Sequence, residues 1–585
     1  MDESMKQDLA VRGCSASGGT LGTSRRVLAS VLLALVPVVV LCLLHAPVYA
    51  TPPDDAVQEM FARGQFQAAA SSLMPYTLVL VSAPLSALYQ LAPSVPWYAL
   101  MLLALIVVSF AITWAQAFSL ELKRFQLVCV GAVVLAAEAL CVLYFTYTVV
   151  AFVTFAAGLV LIMPRAVFGD AGRPAPADVF GLLLVAVGFS LRPESGEAAL
   201  LLFVPFFVYA LCRSRRAGTM LRAVAVIAVI AACYVGGQAA YRLTPGWEDF
   251  PSYLDAGRKV LDTQAMTTEE VQAAAPELSE NDVTMLYAWD FVDHDVFGTE
   301  VLERIGANTS SYGLSHLIAS LKAKITYLLV ALSAMLAAVA LVLARMRRLR
   351  PAARNLSLGV VGMALVSYVL IVMRGRPRLH IVIPIAVVTF MALLVCCSGP
   401  SKGEGHGRHA KHEAAPSDLR TRLAAGAVCA VCALCVAGFW YTSVRPLWNR
   451  LSLPFASAAQ EYVEENADTL VVFAHTQSAW FSGTDAFASA SWQCPDNVLF
   501  VGGWESETAP WDETLERWGL TDGDTLQQLA SRDDMVLVAT ESTADVYETY
   551  LSEHTGTSVK KQKVEDLGSG AVTSSVISVW SFSAE

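Results

Sequence analysis

The feature that most constrains this chain is the recurrence of long apolar segments between residues 27 and 441. Most of them run for roughly 17 to 22 residues, the length an α-helix needs to cross a hydrocarbon layer about 30 Å thick. Only 16% of the 585 residues are charged and 55% are hydrophobic, too little charge to cover a soluble protein of this size. The sequence therefore predicts a polytopic α-helical membrane protein.

Basic clusters separate the apolar segments and mark the ends that we expect to face the cytoplasm. The pattern fits about eleven spans, with the N-terminus inside and the C-terminus outside. The predicted spans are 27–44, 97–118, 125–145, 147–163, 178–191, 198–211, 221–240, 324–344, 356–373, 380–397 and 422–441. Residues 1–26 would then form a cytoplasmic tail and residues 27–441 the membrane module. Pro47 to Ala50 resembles a signal-peptidase site, but the long apolar stretch before it favours an uncleaved anchor.

The apolar segment from Leu73 to Leu91 does not fit this alternation. If it crossed the membrane, every later basic cluster would move to the exterior. It also contains Pro75 and Pro84. We therefore expect a helix that lies on the outer leaflet or dips into it. A true span, with one other span miscounted, is the alternative.

Three regions are predicted outside the membrane: the loops 45–96 and 241–321 and the C-terminal domain 442–585. The C-terminal domain alternates strand patterns with helix patterns, which predicts a small α/β layer. The strands are expected at 469–474, 497–501 and 535–539, and the helices at 459–466, 511–518 and 543–554. Beyond Tyr441 there are 22 acidic and 7 basic residues, which argues against nucleic acid as a partner.

Asp54 and Asp55 follow two prolines just beyond the first span, on the first predicted exterior loop. An ordinary carboxylate is ionised at neutral pH and can accept a proton from a substrate hydroxyl. The pair is therefore a candidate catalytic site. The alternative is structural, because an aspartate before a helical segment is a good N-cap, and Asp55 stands in that position.

The polar turn from Arg192 to Glu197 lies between two apolar segments of about 14 residues. Each reaches only roughly 20 Å, so the turn is expected below the outer surface, in a protein-lined cavity. Glu138 lies at a similar depth in its own span. We predict that Glu138 pairs with Arg192 and lines the same cavity as Glu194. A purely structural ion pair is the alternative.

Arg374, Arg376 and Arg378 form a basic turn that the span count places outside, against the usual distribution of basic residues. Arginine binds phosphate through paired hydrogen bonds. Together with Arg192, these residues are therefore candidates for binding a lipid phosphate. The alternative is that the number of spans before this turn is wrong by one, so that the three arginines face the cytoplasm.

Two weaker candidates lie in the soluble regions. Asp290, Asp293 and Asp295, with His294 among them, offer ligands for a divalent cation or an acceptor. A solvated acidic helix start is the alternative. Trp492, Trp504 and Trp511 belong to a tryptophan-rich stretch and offer flat faces for sugar contact, or side chains for a small core.

Taken together, these features resemble the glycosyltransferase C superfamily. The resemblance lies in the first span, the loop with Asp54-Asp55, the leaflet helix at 73–91, the later spans and the C-terminal α/β domain. Leu73-Met-Pro-Tyr76 is the nearest counterpart of a proline-containing segment with a tyrosine in better-known members.

The resemblance implies an envelope enzyme of the cell membrane that transfers sugar, with inversion, from a polyprenyl-phosphate carrier to an exterior glycan, lipid or protein. Asp54 or Asp55 would then be the catalytic carboxylate. The resemblance implies no cofactor, and the candidate divalent cation rests on Asp290, Asp293 and Asp295 alone. A non-catalytic membrane protein, such as a transporter of lipid-linked glycans or an envelope scaffold, is the alternative. A transporter is expected to show matching broken helices in two halves, and only one broken pair is visible, around Arg192.

Overall fold

The computed structural model describes most of the chain. The described residues are 23–44, 47–50, 54–64, 70–120, 122–168, 175–214, 217–263, 265–308, 351–374, 378–398, 419–446, 454–474, 485–487, 495–502, 506–569 and 575–585. The predicted span 324–344 lies outside these residues.

Helices make up the membrane module. From the N-terminus they are α1 (Thr23–Leu44), α2 (Asp54–Arg63), α3 (Val79–Leu91), α4 (Trp97–Ser119), α5 (Arg124–Leu143), α6 (Tyr147–Val167), α7 (Pro176–Leu191), α8 (Pro193–Tyr209) and α9 (Ala217–Leu243). A region of shorter helices, here called the loop region, follows with α10 (Phe250–Leu261), α11 (Thr268–Ala274), α12 (Glu280–Ala288), α13 (His294–Phe297) and α14 (Thr299–Ala307). The later membrane helices are α15 (Pro351–Met373), α16 (Leu379–Cys397) and α17 (Leu419–Phe439).

Nine helices in the described part of the chain are long and apolar enough to cross a membrane. They are α1, α4, α5, α6, α8, α9, α15, α16 and α17, with short extensions beyond α8 and α17. The prediction of a helical chain with many membrane-length segments is confirmed. The count of eleven crossings and their direction stay predictions.

Two apolar helices are too short to cross a hydrocarbon layer unaided. With 13 residues in α3 and 16 in α7, they reach about 20 and 24 Å at 1.5 Å per residue. A layer about 30 Å thick exceeds both lengths. Length therefore does not separate α3, predicted to lie at the outer leaflet, from α7, predicted to span, and both assignments stay predictions.

The polar turn expected at residues 192–197 is shorter than predicted. α7 ends at Leu191 and α8 begins at Pro193, so Arg192 alone separates the two helices. A proline fits the first helical position because its missing N–H would have no partner there. The predicted start of the following span at residue 198 is therefore wrong, and Glu194 lies in the first turn of α8, next to Arg192.

Glycines allow α6 and α7 to pack backbone against backbone. A Cβ added at Gly158 would lie 2.5 Å from the carbonyl oxygen of Gly181, and one at Gly188 would lie 2.5 Å from the backbone nitrogen of Phe155. Such distances leave no room for a side chain. Small residues at helix contacts are the usual means of close approach in membranes. This contact holds the start of α8, and with it Arg192, against α6.

We expect Gly158→Ala to lower the thermal stability of the purified protein. The new methyl group would meet the Gly181 carbonyl and the Val185 backbone nitrogen, so the helices must separate. Overpacking of this kind costs about 1–3 kcal/mol. Gly362→Ala in α15 is the matched control, because no atom lies within 4 Å of the added carbon. Thermal unfolding in one detergent measures both, and equal midpoints would contradict the tight contact.

The C-terminal domain is an α/β layer, as predicted. Its elements are α18 (Pro454–Glu465), β1 (Leu470–Phe473), β2 (Val498–Phe500), α19 (Ala509–Trp518), β3 (Met535–Thr540), α20 (Glu541–Thr555), β4 (Val559–Ser569) and β5 (Val576–Ala584). The five-stranded sheet has the order β2-β1-β3-β5-β4. The first three strands pair in parallel, and β5 and β4 pair antiparallel. The hairpin of β4 and β5 was not predicted.

The loop region and the C-terminal domain share a hydrophobic core. The other face of the sheet, with Val471 and Val538, belongs to the buried cluster of the membrane module. Tyr253 of α10 and Phe297 of α13 belong to the same buried cluster as Leu537 of β3 and Tyr550 of α20. Hydrogen bonds reinforce the contact, including one from the Asn281 amide to the Val546 carbonyl at 3.0 Å. The two soluble regions predicted separately therefore pack together.

Candidate functional site

Asp55 is fully buried and hydrogen-bonded in the structure. Its Oδ1 accepts hydrogen bonds from the Tyr98 hydroxyl at 3.0 Å and from the Tyr147 backbone N–H at 2.8 Å. Tyr147 is the first residue of α6, whose opening N–H groups have no partner within the helix. Asp55 thus stabilises the start of α6, not of its own helix. The structural interpretation of this residue is supported, though for a different helix from the one expected.

Burial raises the pKa of Asp55 from its ordinary value of 3.8 to about 7. Hydrogen bonds from Thr146, Tyr147 and Tyr98 oppose that increase, while the neighbouring charge of Asp54 adds to it. The result is a carboxyl group that binds a proton more readily than an exposed aspartate does.

We expect the contribution of Asp55 to stability to fall as the pH rises from about 4 to about 7. In this window the folded protein, with its raised pKa, keeps the proton that the unfolded chain has lost. Unfolding then releases a proton, which favours the unfolded state by up to about 1.4 kcal/mol per pH unit. Melting midpoints of wild type and Asp55→Asn, compared across this window, measure the effect. The same pH slope in both proteins would rule out the raised pKa.

Asp54 is partly exposed and differs from its neighbour in its surroundings. Burial raises its pKa above 3.8, and the positive charges of Arg192 and Arg378 counteract that increase. Asp54 therefore lies within electrostatic range of two arginines that come from distant parts of the chain. Of the two predicted carboxylates, Asp54 is the one open to a reacting molecule.

Arg192 is held in a fixed orientation at the break between α7 and α8. Its Nη1 donates hydrogen bonds of 2.7 Å to the Tyr147 hydroxyl and of 2.7 Å to Thr148 Oγ1. Its Nε lies 3.7 Å from Glu194 Oε2. The guanidinium also stacks 5.3 Å from the ring centroid of Tyr76 and 5.0 Å from that of Tyr147. These contacts fix a cation near Asp54.

Arg258 reaches the same place from α10 of the loop region and was not predicted. Its Nη1 lies 2.6 Å from Glu194 Oε1, so one glutamate contacts two arginines. The Arg258 guanidinium lies 5.7 Å from the centroid of the Tyr76 ring, the same ring that Arg192 contacts. Tyr76 has a φ of 63°, a left-handed conformation that is unusual for a tyrosine and often found at functional sites. The sequence carried no signal for Arg258, and only the resemblance pointed to Tyr76.

Two of the three arginines in the predicted basic turn, Arg374 and Arg378, can be related to this site. Arg378, directly before α16, acts electrostatically on Asp54, and Arg374 acts on Glu197 of α8. Arg376 lies outside the described residues. Both Arg192 and Arg378 also act on His380, a buried residue in the first turn of α16. We call Asp54, Tyr76, Arg192, Glu194, Arg258 and Arg378 the Asp54 cluster.

The predicted pair of Glu138 with Arg192 is wrong. Glu138 is fully buried in α5, and neither of its carboxylate oxygens has a hydrogen-bond partner among the described residues. Arg192 instead contacts Tyr147, Thr148 and Glu194. Similar depth in two helices does not bring side chains together when they project in different directions around the helix axes. Glu194 is the acid that reaches Arg192.

The weaker candidates in the soluble regions are mostly structural. Asp293 is fully buried: its Oδ1 accepts from the Leu526 N–H at 2.6 Å and its Oδ2 from the Tyr550 hydroxyl at 2.8 Å, which leaves little capacity for a cation or acceptor. Asp290 is also buried, and the Asp295 backbone pairs with Gly523. Trp511 is fully buried in the domain core, so its ring is closed to a sugar. Trp492 and Trp504 lie outside the described residues.

Glu59 is a buried carboxylate that the sequence analysis did not single out. It lies one helical turn after Asp55 in α2, and its oxygens accept hydrogen bonds from the Tyr89 hydroxyl at 2.7 Å and the Tyr49 hydroxyl at 2.9 Å. Arg63 Nη1 lies 4.0 Å away. The i, i+4 spacing of Asp55 and Glu59 indicates one face of a helix, and that face turns inward. The hydrogen bonds of Asp55 and Glu59 on this face hold α2, and therefore Asp54, against α3 and α4.

Comparisons of the chain with protein-family models, with curated proteins and with solved structures find no match. Function is therefore inferred from the chemistry of the Asp54 cluster. The cluster combines an accessible carboxylate, three arginines and an aromatic ring at one end of an apolar helix bundle.

Proposed function

We propose that this protein is a membrane glycosyltransferase of the glycosyltransferase C type. It would move a sugar from a polyprenyl-phosphate carrier to an acceptor in the cell envelope, which is a glycan, a lipid or a protein. The observation that carries the proposal is that Arg192 and Arg378 both act electrostatically on Asp54, beside membrane-length helices. A base for the acceptor and cations for a phosphate are the two groups that such a transfer requires.

In the proposed reaction Asp54 accepts the proton of an acceptor hydroxyl. The hydroxyl oxygen forms a bond to the anomeric carbon while the bond from that carbon to the phosphate oxygen breaks, which inverts the configuration. The electron pair of the broken bond stays on the lipid phosphate. Asp55 supports this step indirectly, because it holds the start of α6 beside α2.

The arginines would stabilise the departing phosphate. Arg192 is already oriented by Tyr147 and Thr148, so it loses little freedom when it binds an anion. Arg258 contacts Glu194, as Arg192 does, and its Nε also lies 3.5 Å from Asp262 Oδ2. The phosphate is assigned to these arginines because a planar guanidinium group binds phosphate oxygens through paired hydrogen bonds.

We propose eleven crossings, with the N-terminus inside and the C-terminal domain outside. α7 begins near Asp178, which bonds to Arg222 at 3.0 Å and lies 3.7 Å from Arg165. It ends beside Arg192. Arg165 is one of the basic residues predicted on the cytoplasmic side, so the opposite end of α7, with the Asp54 cluster, would face the exterior. The loop region, through Arg258, contacts that end.

Native mass spectrometry of lipids that co-purify with the full-length protein tests the proposal. A bound polyprenyl-phosphate carrying a single sugar, released as free polyprenyl phosphate when acceptor is added, is the expected result. An intact lipid-linked oligosaccharide that is bound and never cleaved would favour transport instead. Absence of any polyprenyl lipid, together with no sugar release from an added donor, would overturn the proposed activity.

A further inference from the structure

A second cluster of charged side chains lies where the loop region meets the C-terminal domain, away from the Asp54 cluster. It consists of His294 at the start of α13, Glu507 before α19, and Asp522 in the turn after α19. Backbone hydrogen bonds fix two of these segments to each other. The His294 N–H donates to the Asp522 carbonyl at 3.0 Å, and the Asp295 N–H donates to the Gly523 carbonyl at 3.1 Å.

The three side chains have the spacing of a metal-binding site. His294 Nδ1 lies 3.0 Å from Glu507 Oε1 and 3.5 Å from Asp522 Oδ2, and the three ligand atoms lie within 4.8 Å of one another. Tetrahedral zinc with bonds of about 2.0–2.1 Å separates its ligand atoms by about 3.3 Å. The two observed distances lie on either side of that value.

The charges at this site are not balanced by protein cations. No lysine or arginine forms an ion pair with Glu507 or Asp522 in the described part of the chain, so the two carboxylates share one imidazole. Asp512 adds a further carboxyl group, on which both of them act electrostatically. His294 Nε2 is buried and makes no hydrogen bond to a described residue, so the polar contacts of the ring are made at Nδ1. A cation would neutralise this excess.

Solvent access and ligand chemistry both suit a zinc-like ion. The Asp522 side chain is 56% exposed, while His294 is 13% exposed, so an ion can enter beside Asp522 and reach a largely buried imidazole. One imidazole nitrogen and two carboxylate oxygens are ordinary zinc ligands, with water in the fourth position. Calcium and magnesium take oxygen ligands, whereas this set includes an imidazole nitrogen.

A similar trio of side chains in the same interface illustrates the contrast. His554 Nε2 lies 2.8 Å from Asp282 Oδ1, with Glu553 close by. There, however, each carboxylate already accepts a hydrogen bond from Ser279. Asp282 Oδ2 accepts from the Ser279 N–H at 2.9 Å, and Glu553 Oε2 accepts from the Ser279 hydroxyl at 2.7 Å. Both carboxylates of this trio thus have partners within the protein, and the trio provides a matched control.

We propose that His294 Nδ1, Glu507 and Asp522 bind one zinc-like divalent cation that joins the loop region to the C-terminal domain. The ion would connect α13 to the two ends of α19. Because α10 of the same loop region carries Arg258, the ion would also stabilise the position of that arginine. The site itself does not depend on the proposed sugar transfer.

Zinc binding by the full-length protein tests the site. Chelator-treated wild type, His294→Gln and His554→Gln are each titrated with zinc chloride alone, and bound zinc is counted after desalting. The expected result is one equivalent fewer in His294→Gln than in wild type, with His554→Gln equal to wild type. The readout is the difference in bound zinc between each variant and wild type. Background binding comes from other side chains, namely the cysteines and, outside the described residues, His406, His409 and His412.

Two further measurements keep the result clear if His294→Gln folds poorly. Glu507→Gln, which preserves the shape of the side chain, should also lose one equivalent. Cobalt(II) should give the visible absorption of a tetrahedral site in wild type and not in Glu507→Gln. Equal zinc counts in wild type, His294→Gln and Glu507→Gln, or loss of the same equivalent in His554→Gln, would overturn the proposal.

Discussion

Asp54→Asn is expected to reduce the rate of sugar transfer by about 10²–10⁴-fold, the usual contribution of a general base. The substitution preserves size and shape but removes the group that accepts the acceptor proton. Asp54 is partly exposed and is balanced electrostatically by Arg192 and Arg378, so the loss of charge is expected to alter reactivity more than folding. The rate of sugar release from a polyprenyl-phosphate donor measures the effect.

Asp55→Asn is the matched comparison, one residue further along α2. The asparagine Oδ1 can still accept the Tyr147 N–H and the Tyr98 hydroxyl, so the start of α6 keeps its partner. We expect a loss of less than about tenfold, well below that of a general base. Full activity in Asp54→Asn, or a larger loss in Asp55→Asn than in Asp54→Asn, would reject the assignment of the base to Asp54.

The difference between these neighbours could not be predicted from the sequence. Adjacent helical residues project about 100° apart, so one carboxylate of a pair can be buried while the other is exposed. Which of the two turns inward depends on how α2 packs. In the structure, the hydrogen bonds of Glu59 to Tyr49 and Tyr89 show which face of α2 is buried, and Asp55 lies on that face.

Local patterns predicted the helices and the central strands well. The length of an apolar run determines whether a helix can cross a membrane, and β1, β2 and β3 are fully buried strands with continuous apolar sequence. β4 was missed because it is the edge strand and most of its residues are exposed and polar. A search for hydrophobic patterns does not identify such a strand.

The contacts of the Asp54 cluster depend on tertiary packing. Arg192 and Arg378 were predicted from their position at the ends of apolar segments, which is a local property. Arg258 is 66 residues beyond Arg192 in the sequence and joins the cluster only because α10 folds back onto the membrane module. The predicted pair of Glu138 and Arg192 was wrong for the same reason. The depth of a residue in a helix does not determine the direction of its side chain.

Arg192→Lys is expected to lower kcat/KM for the lipid-linked donor by about 10²–10³-fold, the loss found when one stabilising donor of a developing anion is removed. Lysine retains the charge but not the planar group that stacks on Tyr76 and Tyr147 while donating to Tyr147 and Thr148. The ammonium group would therefore be less fixed in position, although the charge at the site is unchanged. The expected defect is thus one of geometry.

Arg304→Lys provides the control for this exchange. Arg304 lies at the surface of the loop region, pairs with Glu277 and belongs to neither the Asp54 cluster nor the proposed cation site, so we expect no change in rate. In the proposed reaction negative charge develops on the departing phosphate. A donor whose leaving group is more acidic stabilises that charge itself, so the loss of rate in Arg192→Lys should be smaller with that donor than with the lipid-linked donor. A rate equal to that of wild type in Arg192→Lys, or an equal loss with both donors, would mean that Arg192 does not stabilise the leaving phosphate. In that case its bonds to Tyr147, Thr148 and Glu194 would serve only to join α6 to α8.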